Sequence, residues 1–506
     1  MPRIDITTQT RAGARSWVAL GVLTLSILLL AIDGTVLALA VPALTASLDP
    51  TATQLLWIGD IYSFALAGLL ITMGNVADRI GRKRLLLIGA TGFGLASLLA
   101  AFAPTAELLI AARVLLGISG ATIMPSTLSL VRNIFPDPRQ RSRAIAVWSA
   151  GATVGAAIGP LVGGALLESF WWGSVFLINV PVMVILVITG AILLPESRNP
   201  KPGRIDLLSA ALSVVAIVPI VYAIKTFASD GFSWIAVGSV VLSVIGAVLF
   251  ARRQRRLETP LIDLALFRIP AFSGAVAANT LAIFGFVGML FFFSQYLQLV
   301  RGLSPLQAGL AELPSALASL AVIGIVSNVV ARIGRGLAVG VGLAVCGAGS
   351  VLLAFAEGQS DLIWIILSLC VLAIGAGLAM TVSVDAVLSA VEKERSGAAS
   401  AISETAYELG VALGIALLGS VLTAVYRVSL HLPESLTPTV AADVRESLGS
   451  AVHVAGDNPA VVDAAQEAFV VSIQTASFVA AAIMFVAAFI AARVIPAERT
   501  RSRSGH

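Results

Sequence analysis

Charged side chains inside long apolar stretches are the features of this sequence that could do chemistry. An ionised side chain near the centre of a bilayer costs a few kcal/mol, so such a residue usually marks a functional path. Carboxylates in these places bind protons or cations, and an arginine can pair with them. The residues of this kind are Asp33, Asp60, Arg113, Glu312, Asp385, Glu404 and Glu408.

Two of these carboxylates form a pair. Glu404 and Glu408 are four residues apart in SETAYELG, so they share one helical face and repel each other unless a proton or cation binds. A purely structural acidic pair inside a span would be costly. Asp33 and Arg113 could instead form a purely structural ion pair. The acids that could reach interfacial water are Asp60, Glu312 and Asp385.

Membrane helices must position these charges. The chain has 506 residues, of which 58% are hydrophobic and only 12% charged, with a mean hydropathy of +0.97. A soluble protein needs charge on roughly a quarter of its residues, so this surface must face lipid. Apolar runs of about 20 residues recur and predict an all-α polytopic protein with about fourteen transmembrane helices.

The basic residues predict the orientation. With fourteen spans, 27 of the 32 Lys and Arg residues fall on one side, four on the other and Arg113 within a span. Basic loops stay cytoplasmic, so we expect both termini inside a bacterial cell (inner) membrane. The net charge of +4 then reflects topology and not nucleic-acid binding. The four residues on the opposite side are Lys225, Arg301, Arg427 and Arg445.

A repeated octapeptide predicts two related halves. NVADRIGR at 75–82 and NVVARIGR at 328–335 each lie between apolar runs, and Asp78 in the first faces Ala331 in the second. Paired halves are typical of secondary transporters, with the substrate site between them. We expect a first six-helix half at 1–200 and, at 257–506, a second half that contains an outer loop.

Two further segments lie outside this symmetry. The residues 201–256 hold an inserted helix pair with little polarity, which suits a linker that faces lipid. The outer loop at about 427–467 has two polar, Ala-rich stretches, near 439–455 and 460–468, and predicts a helical hairpin. A disordered loop is the alternative. Cys346 and Cys370 fall within spans, so no disulfide is expected.

Four motifs resemble those of the major facilitator superfamily. NVADRIGRKR resembles its loop motif, and WSAGATVGAAIGPLVGG at 148–164 resembles the fifth-helix motif of its drug:proton antiporters. AIDGTVLALAVP is similar to the first-helix motif of the fourteen-helix branch, and RVLLGISGA to the fourth-helix motif with its buried arginine. The order and spacing agree along the whole chain. With SETAYELG and the long outer loop, the resemblance is to QacA-, LfrA- and SmvA-like efflux pumps.

The resemblance implies a gate at the cytoplasmic side. Asp78 would lie against the start of the thirteenth helix and near Arg132, assisted by Arg82, although a local turn-stabilising role is the alternative. In the fifth helix, the small residues at 151, 155 and 159 form a strip for close helix approach, and a proline follows. By resemblance this seam closes the cytoplasmic leak between halves, and plain packing is the alternative. The seam residues are Gly155, Gly159 and Pro160.

These features predict a proton-coupled antiporter that exports lipophilic organic cations such as dyes, quaternary ammonium compounds and drugs. We expect Asp33 and Arg113 to interact, and protonation of Asp33 to release Arg113, with Asp60 as a second coupling acid. Cation recognition falls to the Glu404 and Glu408 pair, with Glu312 as a further acid. Aromatic and soft side chains could line the site, although most could be ordinary packing. They are Trp57, Tyr62, Met124, Phe286, Met289, Phe293, Met380 and Tyr407.

Several classes are disfavoured. The chain has three His residues and no triad or metal spacing, so neither an enzyme nor a metal site is expected. No GxxxxGK[ST] loop occurs, so the energy source is the proton gradient and no cofactor is needed. We expect a monomer. One departure concerns the tenth helix, where Ser319 stands at the place of the deeper acid of QacA-like pumps. The alternatives are an exporter of a physiological solute, such as a lipid, siderophore or amino acid, and a non-transporting membrane sensor.

Overall fold

The computed structural model describes residues 13–198, 206–257, 260–391, 396–433, 436–455 and 458–495, and this part contains helices and no strand. The first-half helices are α1 (Ala14–Leu48), α2 (Ala52–Ile80), α3 (Arg82–Ala101), α4 (Ala106–Ile134), α5 (Pro138–Ser169), α6 (Ser174–Leu177) and α7 (Asn179–Leu193). The inserted helices are α8 (Leu207–Asp230) and α9 (Trp234–Gln254). The remaining helices are α10 (Pro270–Gln295), α11 (Pro305–Val322), α12 (Val326–Ile333), α13 (Arg335–Ala356), α14 (Leu362–Ser389), α15 (Ser396–Ser429), α16 (Pro438–Glu446), α17 (Leu448–Ala455) and α18 (Pro459–Val494).

These helices confirm the predicted fourteen spans. Thirteen are long and apolar enough to cross a membrane, where α6 and α7 count as one and a π-helical segment at Tyr296–Val300 extends α10. The fourteenth is the pair α11 and α12, which meet at a 54° bend. We call the end of the bundle where α1 begins and α18 ends the basic end, and the opposite end the far end.

The octapeptide repeat corresponds to a repeated structural frame. Both α2 and α11 begin at the far end with a capping box, made by Thr51 with Gln54 and by Ser304 with Gln307. The two repeat segments then end at a glycine with positive φ, Gly81 at 112° and Gly334 at 82°. A side chain at such a φ would be strained, which explains a glycine at both turns.

Packing divides the helices as the repeat predicts. Helices α1 to α7 pack against one another, and α10, α11, α13, α14, α15 and α18 form a second group. The two groups meet where α2 packs on α15, α5 on α11 and α1 on α10. The contacts therefore arrange these helices in two groups that meet at three helix pairs.

The inserted pair differs from a linker that only faces lipid. Helix α9 exposes many large apolar side chains, as expected beside lipid, whereas α8 packs against both α2 and α15. Lys225 is buried within α8 and does not lie in an outer loop, so its predicted placement was wrong. The predicted span ended too early, because the helix continues to Asp230 and Lys225 finds a carboxylate partner inside the bundle.

At the basic end Asp206 caps the start of the inserted pair. It accepts hydrogen bonds from the backbone N–H of Ser209 at 3.0 Å and from Arg253 Nη2 on α9 at 2.9 Å. Burial would raise the pKa of the Asp206 carboxyl, but the hydrogen bonds from Arg253 and Ser209 outweigh it and lower the pKa to about 2. The charged cap therefore ties the beginning of α8 to the end of α9.

The outer loop forms a small cap at the far end. The predicted hairpin is present as α16 and α17, which pack together, but the stretch at 460–468 is the beginning of α18. Glu446 accepts a hydrogen bond from the backbone N–H of Ala52 at 3.0 Å and pairs with Arg427 at 3.2 Å. The cap therefore joins the start of α2 to the end of α15.

Candidate functional site

The two halves meet most closely near the far end. The carbonyl oxygen of Pro160 on α5 lies directly against Gly309 on α11, so no side chain fits there. One turn on, Gly164 packs against the backbone of Pro305. Gln298 also donates a hydrogen bond across the interface to the carbonyl of Leu39 at 3.0 Å. These backbone approaches close the bundle at the far end.

The fifth-helix glycines serve a different contact from the one expected. Gly155 and Gly159 pack against Leu28 and Thr35 of α1, which belongs to the same half. The strip does allow a close helix approach, as its spacing predicts. The approach between halves, however, falls to Pro160, and it lies toward the far end of α5. Pro160 was among the predicted seam residues, but its contact lies toward the far end and not on the cytoplasmic side, and the two glycines face α1.

The first charged cluster ties together four helices of the first half. Asp33 on α1 accepts a hydrogen bond from Asn179 Nδ2 on α7 at 2.7 Å, and Asn179 also donates to Ser97 on α3 at 3.2 Å. Arg113 Nη1 on α4 lies 3.7 Å from Asp33 Oδ2, and both side chains are almost fully buried. The predicted contact between Asp33 and Arg113 is therefore present. At 3.7 Å the two groups form an ion pair without a hydrogen bond between these atoms.

Other groups hold the Arg113 guanidinium in place. Its Nε donates to the carbonyl of Ile58 at 3.0 Å and its Nη2 to the carbonyl of Gly59 at 3.2 Å. The guanidinium also lies 4.9 Å from the ring centre of Tyr62, close enough for a cation–π interaction. Arg113 thus keeps partners on α2 even if it loses Asp33. Protonation of Asp33 would therefore remove only one of the partners that hold this charge.

An acid from the second half faces this cluster. Glu408 on α15 is buried and interacts with the hydroxyl of Ser63 on α2 and, at longer range, with Arg113. Glu404 lies one turn nearer the basic end. It is accessible to solvent although protein atoms surround it, as expected for a side chain that lines a space between the halves. Tyr407 interacts with both glutamates.

A second charged cluster joins α2 to the inserted helix. Lys225 Nζ on α8 lies 2.6 Å from Asp60 Oδ2, and neither side chain is exposed. The same ammonium lies 3.6 Å from the ring centre of Trp57. Around it, Val221 of α8 packs with Phe64 of α2 and with apolar residues of α15. Asp60 therefore has a cationic partner in place of the interfacial water considered above.

The other predicted acids lie apart from these clusters. Glu312 is buried on α11, and within the described residues its Oε1 has no hydrogen-bond partner. Asp385 pairs with Arg335 at 2.9 Å at the basic end, where its side chain is 57% exposed. Ser319 packs against Gly377 of α14. The structure therefore brings Asp33, Glu408 and Arg113 together but leaves these residues elsewhere.

The predicted gate residues Asp78, Arg82 and Arg132 lie at the basic end but do not form one cluster. Asp78 in the last turn of α2 pairs with Arg82, the first residue of α3, with an Nη2–Oδ1 distance of 2.9 Å. Arg82 also donates to Ser197 at 3.2 Å. Among the described residues no ion pair joins Asp78 to Arg132, which is exposed. The local role of Asp78 is thus visible, whereas the side chains at the start of the thirteenth span lie outside the described residues.

The aromatic and soft side chains that were predicted to line the site fall into two groups. Trp57 and Tyr62 lie in the two charged clusters, and Tyr407 accompanies the glutamates. Met289 and Phe293 are instead fully buried in the second half. There Met289 approaches Ser477 of α18 and Phe293 stacks on Tyr296. The structure does not bring these two to the space between the halves, because their helix turns that face toward α18.

An apolar cavity lies beside the charged clusters. It has a volume of about 140 Å³ and is bounded by α2, α8, α9 and α15. Its lining residues include Gly68, Ile217, Phe250, Thr405 and Leu409. Thr405 and Leu409 follow Glu404 and Glu408 directly in the chain. Successive residues of a helix point about 100° apart, so Thr405 and Leu409 face this cavity while neither glutamate lines it.

Three residues of these networks were missed by sequence reasoning. Asn179 is uncharged, so only its tertiary position shows that it holds Asp33. Lys225 stood near the end of a predicted span and was assigned to a loop. Glu357, for which no role was predicted, directly follows α13, is buried and accepts a hydrogen bond from Ser477 at 3.3 Å. A lysine and an acid close to span ends were the only available signals.

Comparison with known proteins agrees with this architecture. The sequence profile of the Major Facilitator Superfamily matches residues 23–415. The chain belongs to this superfamily. It is 47% identical to the multidrug efflux pump LfrA of Mycolicibacterium smegmatis, over 95% of this chain and 96% of LfrA. It is also 40% identical to the methyl viologen resistance protein SmvA of Salmonella typhimurium, over 90% and 93% of the two chains. This chain is therefore a transporter of the drug-efflux type and not an enzyme.

A solved structure supports the fold. A bacterial homologue of the human lysosomal transporter Spinster, in an inward-facing and occupied conformation, aligns with a TM-score of 0.67. The alignment covers 95% of this chain and 97% of that one at 18% sequence identity. At this identity the similarity concerns the fold alone. It confirms the predicted major facilitator fold.

Proposed function

We propose that this chain is a proton-coupled antiporter that exports lipophilic organic cations across the bacterial inner membrane. The observation that carries the proposal is the meeting of Glu408 from the second half with the Arg113 and Asp33 cluster of the first. A transporter couples two ligands when both act on elements that change between two states. Here one acid from each half interacts with a single guanidinium.

The proposed cycle follows from these contacts. A proton on Asp33 removes the charge that attracts Arg113, and the guanidinium then interacts more strongly with Glu408. A cation bound at Glu408 opposes that move, because it competes with Arg113 for the same carboxylate. Proton and cargo therefore favour different positions of one charge. This competition is the basis of exchange.

The orientation of the charges fits export. The basic end carries most of the arginines and faces the cytoplasm under the positive-inside rule. Because the halves are closed at the far end and Glu404 is accessible, the described state opens inward. A small apolar cavity also separates α2, α8 and α15 near this accessible region. A membrane potential of about 100 mV supplies about 2.3 kcal/mol for each charge moved, before the pH term.

The relatives support the cargo class. LfrA is a multidrug efflux pump, and SmvA is a methyl viologen resistance protein. Methyl viologen is an aromatic dication. Two glutamates four residues apart on one helix supply the negative charge that such a dication needs. For this chain we therefore expect ethidium, quaternary ammonium compounds and viologens as cargo.

Ethidium efflux from loaded cells tests the proposal. Cells that express the chain should lose ethidium faster than cells with the empty vector, and a protonophore should remove the difference. Proteoliposomes with an imposed pH gradient should show uptake of ethidium against its gradient. Efflux that persists without any proton gradient would refute proton coupling. Efflux of neutral solutes alone would refute the cationic cargo and favour a physiological solute.

A further inference from the structure

The buried ammonium of Lys225 is not explained by the fold or by the proposed cycle. It lies inside a helix pair that neither half of the repeat contains, and it has 0% side-chain exposure. A lysine could reach the interface from this part of α8 by extending its stem. Instead it points into the contact between α8 and α2. Burial of a charged pair costs free energy unless its geometry is very good.

The groups around this ammonium are those of an organic-cation site. Asp60 Oδ2 lies 2.6 Å from Nζ, and the Trp57 ring centre lies 3.6 Å away. A carboxylate supplies charge, and an aromatic face binds an ammonium by a cation–π interaction. Trp57 and Asp60 are three residues apart on α2, so one helical face presents both. A structural ion pair needs the carboxylate but has no need of the ring.

We propose that Trp57 and Asp60 form a subsite for an alkylammonium group, and that Lys225 fills it as a tethered occupant. This inference rests on the proposed function and extends it by naming a subsite for the ammonium group of the cargo. The tether belongs to α8, which also packs on α15, where Glu408 lies. Cargo that enters from the α15 side must displace the lysine to use the subsite.

The two charged clusters are close enough to communicate. Asp60 interacts electrostatically with Arg113 as well as with Lys225. Gly59, the neighbour of Asp60 in the chain, also accepts a hydrogen bond from Arg113. Displacement of the lysine would thus change the field at the guanidinium that binds Asp33. The inserted helix pair then regulates cation binding and does not act only as a linker.

A cavity-and-rescue experiment tests the subsite without any transport. Lys225→Ala removes the three methylene groups beyond Cβ together with the ammonium, which corresponds to one n-propylammonium ion. We expect n-propylammonium to bind the purified Lys225→Ala protein and to raise its thermal unfolding midpoint. The wild-type protein should show no such shift because its lysine fills the site. Lys83→Ala, which removes an exposed lysine, is the matched control and should also show none.

A second substitution assigns the binding to the proposed partners. Asp60→Asn combined with Lys225→Ala should weaken n-propylammonium binding by about tenfold or more, because the carboxylate charge is lost. The neutral analogue 1-propanol should not replace the ammonium in either protein. Equal stabilisation of Lys225→Ala and the double variant by n-propylammonium would overturn the proposal. So would equal stabilisation of the Lys83→Ala control.

Binding of large cations gives an independent test if Lys225→Ala folds poorly. Lys225→Met keeps the volume of the side chain and removes its charge, and it should bind tetraphenylphosphonium about tenfold more tightly than wild type. Lys225→Arg should bind as wild type does. Weaker binding by Lys225→Met would show that the lysine only supports the structure. If n-propylammonium rescues Lys225→Ala while cells show no cation efflux, the proposed function fails and the subsite stands.

Discussion

The two copies of the octapeptide share a frame but differ in their chemistry. Each copy lies at the end of a span that starts with a capping box at the far end. In each copy the helix ends at a glycine with positive φ. The first copy lies on the continuous helix α2 and holds the Asp78–Arg82 pair. The second lies after the 54° bend between α11 and α12, and Ala331 replaces the acid.

The same asymmetry extends to the buried charges. The first half holds Asp33, Asp60 and Arg113 in connected clusters. Among the described residues the second half contributes the buried acids Glu312, Glu357 and Glu408 and no buried cation. The repeated frame therefore provides two similar supports, and only one carries the proposed switch. The other presents acids to it. This difference suggests where substitutions should matter most.

Removal of the switch acid should have the largest effect. Asp33→Asn keeps the hydrogen-bond geometry with Asn179 but removes the charge that attracts Arg113. We expect proton-driven ethidium efflux to fall to the level of cells without the protein, while the amount of protein in the membrane stays normal. Asp385→Asn is the matched control, since that acid is exposed and an exposed ion pair contributes only about 0–1 kcal/mol. Normal efflux by the Asp33→Asn variant would show that Asp33 is not the coupling acid and that the first half does not hold the switch.

Neutralisation of the second-half acid should have the next largest effect. Glu408→Gln should weaken binding of ethidium and viologens by about tenfold or more, because a buried carboxylate faces the cation. Glu404→Gln should cost less, since Glu404 is accessible to solvent. Cation binding by the wild-type protein should weaken as the pH falls, because protons compete for the same carboxylates. Normal binding and export of dications by the Glu404→Gln/Glu408→Gln double variant would show that both acids are structural.

Asp78 allows a direct comparison of the two repeats, because the second repeat has Ala331 at the same place. In the described state Asp78 contacts Arg82, and we expect it to contact the start of α15 only when the basic end closes. A carboxylate at a helix start contributes about 0.3–2 kcal/mol. Asp78→Asn should therefore reduce the closed population by about twofold to thirtyfold. Transport should fall while substrate binding survives.

Cysteine labelling can measure that population. Cysteines placed in the space between the halves should become more reactive from the basic end in Asp78→Asn. Ala331→Asp restores an acid to the second repeat, but it should not rescue Asp78→Asn because α12 is a short segment beyond a bend. Unchanged labelling in Asp78→Asn, or full rescue by Ala331→Asp, would contradict a one-sided latch.

The sequence predicted the number and order of the membrane spans better than the contacts between individual side chains. Hydropathy, basic loops and the repeat specify fourteen spans, because lipid leaves few alternatives for a backbone. Asp33 and Arg113 were paired correctly because charges in apolar runs need partners. Lys225 was misplaced because a lysine near a span end is compatible with either a loop or a buried site. The α1 partner of Gly155 could not be known, since a small residue shows that a helix approaches but not which one.

The smallest effect should come from the two capping boxes, and it tests whether the frame is truly repeated. Gln54 N donates to Thr51 Oγ1 at 3.2 Å, and Gln307 N donates to Ser304 Oγ at 3.3 Å. Both caps are exposed at the far end and stand at the same place in their repeats. Loss of a cap costs about 0.5–2 kcal/mol. Thr51→Ala and Ser304→Ala should therefore lower thermal stability by similar small amounts and leave efflux nearly unchanged. A cost confined to Thr51→Ala would mean that the frame itself is asymmetric, because α2 would then depend on its cap while the bent α11–α12 segment would not.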